Sequence, residues 1–182
     1  MDSESLIPIL VILLRVFIPF SILRFPLLGG FLAMFADAID VMIFEAFGVG
    51  FFKEFPYHHA DKIFDMWYLF FEFLVVLRWK DILAKNAGKV LFGWRALGFI
   101  AFMLTGIRYS FFLAPNIFEF YFLTYLIIKK FNKKFKMTWK KLTIILLAVG
   151  IPNIIKEYIM HFKYIDQTWH FFRDNIFWWL YK

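Results

Sequence analysis

The chain contains no cysteine. That excludes disulfides, thiolate metal sites, thiol nucleophiles and palmitoylation. Charge is scarce as well, with 19% charged residues against 62% hydrophobic ones in a chain of 182. A soluble core cannot hide that much apolar surface behind so few charges, so most side chains are expected to meet lipid. There is no Gly-rich phosphate loop, no serine–histidine pair at a useful spacing and no nucleic-acid signature. None of the four histidines lies deep in an apolar run, which removes a haem-binding pair. No low-complexity or flexible linker is evident, and residues 1–182 read as a single integral membrane domain.

What the chain has in abundance is apolar and aromatic. Phenylalanine alone supplies 28 residues, and the mean hydropathy is +0.67. A spanning helix needs roughly 20 mainly apolar residues. The expected fold is all-α, a polytopic transmembrane bundle of about six spans near residues 6–23, 26–49, 63–79, 90–106, 110–128 and 142–160. The N-terminal residues are acidic and no small-residue cleavage site follows, so the first run is expected to be a retained span. Residues 166–182 interleave His170, Arg173 and Asp174 with Trp169, Phe171, Phe172, Phe177, Trp178 and Trp179, the pattern of an amphipathic interfacial helix. Trp67, Trp79, Trp94 and Trp139 fall near span ends and read as bilayer anchors.

The net charge of +7 would suggest nucleic acid in a soluble protein, but here the excess lies between spans. Lys129, Lys130, Lys133, Lys134, Lys136, Lys140 and Lys141 stand between spans five and six, Lys80, Lys85 and Lys89 between three and four, and Arg24 between one and two. The positive-inside rule makes that face cytoplasmic, with both termini outside, in a bacterial inner membrane. The lysines of 129–141 read first as a topology signal and second as a site for anionic lipid.

Against that background, ionisable residues within the spans mark the functional candidates. Gly30, Ala33, Asp37 and Asp40 share one face of span two, at i, i+3, i+7 and i+10. Asp61, Asp65, Tyr68 and Glu72 share one face of span three, at i, i+4, i+7 and i+11. Small residues on the first face allow close approach, so the two stripes are expected to oppose each other. Arg15 and Arg95 are the expected counter-charges, with Arg108 a further one, because arginine stays protonated and clamps carboxylates through paired hydrogen bonds. Asn116 and Glu119 add a secondary polar pair. The acids at depth, which include Glu45, outnumber these arginines, so the surplus must be protonated, bind a cation or line water. The alternative is that the charges serve as structural locks. His59, beside Asp61 and Asp65, could join a metal set with Asp37 and Asp40, whereas His58, His161 and His170 read as interfacial. No cofactor is evident, and a divalent metal is left open. Pro115-Asn116 with Glu119 and Pro152-Asn153 with Glu157 look alike, a match so short that chance explains it better than a repeat does.

The segment 13–62 resembles the CDP-alcohol phosphatidyltransferases. It places Arg15 and Pro19 in the first helix, then Asp37-Ala38-Ile39-Asp40, then Asp61 and Asp65, with Ala60-Asp61-Lys62 as in some members. The resemblance implies divalent metals held by these acids and one acid acting as base toward an acceptor hydroxyl. Val41 stands where that family has glycine, Phe44-Glu45 where it has Ala-Arg, and Tyr57 where a further glycine is expected. The stretches 94–108 and 115–119 are similar to small bacterial polytopic membrane proteins. That similarity gives weight to Arg95, Arg108, Asn116 and Glu119 and implies no activity. The sequence thus leaves three readings: a site for a cation, a proton or a polar headgroup, a metal-dependent headgroup phosphotransferase, or an accessory subunit of a membrane complex. The expected partners are the bilayer and either further copies of the chain or a larger membrane complex.

Overall fold

The computed structural model describes residues 3–47, 57–107 and 109–158, and these are all-helical. Helix α1 covers Ser3–Phe17 and passes into a 3₁₀ segment, Ile18–Leu23. Pro19, lacking a backbone donor, sits in the first turn of that segment. Helix α2 spans Pro26–Phe47, α3 Tyr57–Val76 and α4 Ile82–Thr105. The short α5 (Tyr109–Leu113) and α6 (Ile117–Phe131) are followed by α7 (Trp139–Tyr158). The expected helix 166–182, Arg108, His161 and His170 lie outside the described residues, as do the side chains of Glu45 and His58.

Three boundaries differ from the expected ones, each for a local reason. Helix α3 starts ahead of the apolar run, so Asp61 and Lys62 are already helical. Helix α4 starts at Ile82 because the Asp81 side chain caps it, accepting from the Ala84 amide at 3.2 Å. It stops at Gly106, whose φ of 70° suits a residue without a side chain. The fifth apolar run is not one helix. It breaks at Ala114-Pro115-Asn116, where proline cannot continue the ladder and disfavours α geometry at the preceding residue. Pro152, by contrast, is accommodated inside α7.

By length and composition, α4 is the one described helix able to cross a membrane, with the apolar stretch Ile9–Leu23 shorter. The six expected spans are not reached on this measure. Charged residues lower the apolarity of α3 and α7, and the break shortens α6, whereas α2 is strongly apolar but has side chains described only as far as Asp40. Even so, α4 is sharply two-faced. Val90, Trp94, Leu97, Ile100 and Leu104 are exposed along one side, while Ala84, Gly88, Arg95, Gly98 and Phe102 are buried on the other.

The helices alternate in direction. Trp67 donates its indole N–H to the Val16 carbonyl at 3.0 Å, and Phe71 packs on Phe20, so α1 and α3 run the same way. Helix α2 returns along the 3₁₀ segment so closely that a Cβ on Gly29 would lie 2.6 Å from the Ile22 backbone nitrogen. Helix α4 returns along α3, pairing Gly88 with Val76 and Phe102 with His59. The aromatic core is Phe118, Tyr121 and Phe122 of α6 against Leu69, Val76 and Trp79. Trp79 stacks on Phe122 and Tyr125, so it is a core residue and not the surface anchor its position suggests. Asp81 also accepts from the Met137 amide at 2.6 Å, which ties the turn before α4 to the loop before α7. Those two turns and the Arg24 corner therefore share one end of the bundle.

Candidate polar site

The site lies away from that end, where the start of α3 meets the middle of α2 and the last turn of α1. Arg15, in the last turn of α1, is 5% exposed and covered on one side by the Phe64 ring. Its guanidinium meets all four aspartates of the two stripes. Nη1 donates to Asp40 Oδ2 and to Asp61 Oδ1 at 3.0 Å. Nη2 donates to Asp37 Oδ1 and to Asp65 Oδ1 at 2.9 Å. Lys62 closes the cluster from α3 itself, with Nζ 2.8 Å from Asp61 Oδ2 and 2.7 Å from Asp65 Oδ2. Both oxygens of Asp61 and both of Asp65 are thus committed to cations. Sequence reasoning missed Lys62 as a partner, although its i, i+3 spacing to Asp65 was there to read.

Four carboxylates against two bases leave two formal negative charges within this cluster. Asp40 is fully buried, whereas the Asp37 side chain keeps 31% of its surface open. Asp37, Asp61 and Asp65 each offer an oxygen within 4.8 Å of the others, a set that could hold a metal ion. Arg15 already occupies the centre of that set, so an ion there must take its place. His59 is not in the group, and its ring lies on Phe102. An open apolar crevice of about 460 Å³, lined by Val16, Phe64, Trp67, Phe70 and Phe99, runs beside the cluster.

The remaining predicted residues lie elsewhere. Arg95 does not join the aspartates: it donates to the Ala114 carbonyl at 2.9 Å and faces the Phe111 ring. Trp94 donates to the neighbouring Leu113 carbonyl at 3.0 Å. Together they take up carbonyls that the break in the fifth run leaves without helical partners. Gly98 permits this approach, since a Cβ there would stand 2.4 Å from Ala114 Cβ. Glu72 faces α6 and not Arg15. It is fully buried, its Oε1 3.2 Å from where a Cβ on Gly30 would lie. Glu119 is 4% exposed and accepts from Asn116 Nδ2 at 2.8 Å. Tyr68 is buried between the two groups, within electrostatic reach of Asp37 and Asp65 on one side and Glu72 and Glu119 on the other. Asp65 and Glu72 are about 10 Å apart along α3, at 1.5 Å per residue.

The face of α3 that carries Asp61, Asp65, Tyr68 and Glu72 is thus a continuous buried polar track. Cations fill its first half, and its second half ends in carboxyls. No family model, no curated protein and no solved structure matches this chain.

Proposed function

We propose that the chain is a polytopic membrane protein that binds, and passes along the α3 track, a cation or proton. The observation that carries this reading is the convergence of four aspartates on Arg15 and Lys62, four carboxyls to two bases among the described residues. Buried charge of one sign in surplus is costly unless a mobile cation or proton can offset it. Asp37 gives that charge an opening to the surroundings, and Arg15 acts as the tethered cation that an incoming one displaces. Lipid as the surrounding medium is supported by the exposed apolar stripe of α4 and by Phe35, Leu28 and Ile151, each more than half exposed on other helices. The end that carries Arg24, the turn before α4 and the lysine loop would face the cytoplasm, and the Arg15 cluster would open outside.

The test uses protein reconstituted into liposomes, with Asp37→Asn and Asp65→Asn made singly. Both variants should fold yet lose proton or cation flux, and wild-type flux in both would refute the reading. Because the chain has no cysteine, single cysteines introduced at the exposed residues 107 and 134 report sidedness cleanly. They should label from opposite faces of the membrane.

A second reading rests on the same convergence. In the CDP-alcohol phosphatidyltransferases that the segment resembles, aspartate pairs of this spacing hold metal, and the apolar crevice is suited to an acyl chain. Against it, both oxygens of Asp61 and Asp65 are held by Arg15 and Lys62. Mn²⁺ titration followed by electron paramagnetic resonance separates the two, since the enzyme reading requires stoichiometric binding abolished by Asp61→Asn. An accessory subunit, with the charges as internal locks, would instead lose abundance in these variants and copurify with a larger complex.

A further inference from the structure

The inner half of the track has the opposite chemistry to the outer half. Among the described residues, both carboxyl oxygens of Glu72, Oε1 of Glu119 and Oδ1 of Asn116 are buried without a hydrogen-bond partner, and the Tyr68 hydroxyl lies beside Glu119. Glu72 is fully buried, Glu119 4% exposed and Asn116 6% exposed. A buried acceptor left unsatisfied costs about 1–3 kcal/mol, and more if charged. Four on neighbouring side chains therefore call for something that satisfies them together.

The surrounding structure fixes these oxygens in place. Asn116 and Glu119 stand at the start of α6, directly after the break, and the amide Nδ2 of Asn116 is spent on Glu119 Oε2. That leaves the amide oxygen and Glu119 Oε1 as the free atoms of the pair. Gly30 of α2 lets Glu72 settle against Phe122 and Leu123, on the face of α6 that continues from Glu119. The break itself is not the binder, because Arg95 and Trp94 already hold the Ala114 and Leu113 carbonyls.

We propose that Glu72, Glu119 and Asn116 form a site for a dehydrated monovalent alkali-metal cation in the interior of the bundle. All the free atoms are hard oxygen acceptors, the donor set that suits such ions and excludes an anion. A single proton would satisfy one oxygen and leave the others bare. Four oxygens are few for a divalent ion, which takes six or more ligands or retained waters, and an alkali ion held here would complete its own shell with water or the Tyr68 hydroxyl beside Glu119. Lys156, and to a lesser degree Arg95, place positive charge near Glu119 without touching it. Such sites beside interrupted helices at mid-depth are where coupling ions sit in membrane transporters. The proposal stands apart from the Arg15 cluster and survives even if that cluster binds nothing.

The experiment measures thermal unfolding of the full chain in nanodiscs with LiCl, NaCl or KCl, replaced at constant ionic strength by N-methylglucamine chloride. One alkali ion should raise Tm saturably. Glu72→Gln should abolish the shift, and Asn116→Ala should weaken apparent affinity about tenfold. A second measurement needs no variant: modification of Glu72 in the wild-type chain by dicyclohexylcarbodiimide, followed by mass spectrometry, should slow several-fold in the same ion. Four outcomes would overturn the proposal. They are no ion-specific shift together with unaltered labelling, a shift with Mg²⁺ or Ca²⁺ alone, a saturable shift that persists in Glu72→Gln, and loss of the alkali effect in Asp37→Asn. The last would assign the ion to the Arg15 cluster. Loss of flux in Asp37→Asn with the alkali shift intact would support both sites separately.

Discussion

Two groups of acids gather against one face of α3, about 10 Å apart along the helix, with members from α2 and α6, and they differ in what surrounds them. Asp37, Asp40, Asp61 and Asp65 enclose an arginine and take a lysine at their edge. Among the described residues, Glu72 and Glu119 have no cation in contact, and four oxygens there and on Asn116 have no donor. The outer group is close to a finished salt-bridge network, in which each member depends on the others being present. The inner group is a set of acceptors for which the described residues supply no donor. Burial alone therefore does not identify a binding site. What distinguishes the two is whether the protein supplies its own counter-charge.

The sharpest way to break the contrast is to remove the internal cation. Arg15→Met should leave four aspartates buried against one lysine, at a cost of about 3–5 kcal/mol, the usual penalty for stripping one partner from a buried charge network. The readout is thermal unfolding in detergent together with the yield of folded protein. Glu72→Gln, which removes a charge that has no partner, should by comparison leave Tm in N-methylglucamine unchanged or raised. An equal loss of stability in the two variants would show the groups to be alike.

A smaller effect tests how the break is held. Arg95→Lys keeps the charge but loses the planar group that faces Phe111 and donates to the Ala114 carbonyl. A fall of about 1–2 kcal/mol is expected, that of a hydrogen bond from a charged donor, seen in the same unfolding assay.

The smallest expected effects compare two adjacent glycines. A Cβ at Gly29 meets backbone atoms of Ile22 that cannot yield, so Gly29→Ala should cost about 1–3 kcal/mol. A Cβ at Gly30 meets the ends of the Leu123 and Glu72 side chains, which can shift by a few tenths of an ångström. Gly30→Ala should lower Tm less than Gly29→Ala while altering the alkali-ion response, because it presses on Glu72.

Much of this was legible in the sequence. The i, i+4, i+7, i+11 spacing of Asp61, Asp65, Tyr68 and Glu72 requires a shared face once the segment is helical, and the structure places them so. The all-helical class follows from apolar runs too long for strands and punctuated by proline and glycine. The partners were harder to read. Arg95 looked as suitable a counter-charge as Arg15, but Pro115 breaks the fifth run and turns Arg95 to a backbone carbonyl. Lys62 looked like part of a loop until α3 was seen to begin before it. Trp79 looked like a surface anchor, and packing against α6 made it core.

The sequence by itself determined which side chains share a helix face, because helical periodicity is a local property of the backbone. It also determined that the chain carries more buried acid than its arginines can neutralise. Only the tertiary structure decided which acids receive a counter-charge. That choice depends on which helices approach one another, at Gly29, Gly30 and Gly98, and on where the fifth run breaks. Four aspartates meet Arg15 because α1, α2 and α3 converge on it. Glu72, about two turns beyond Asp65 on the same face, meets another helix and another acid instead.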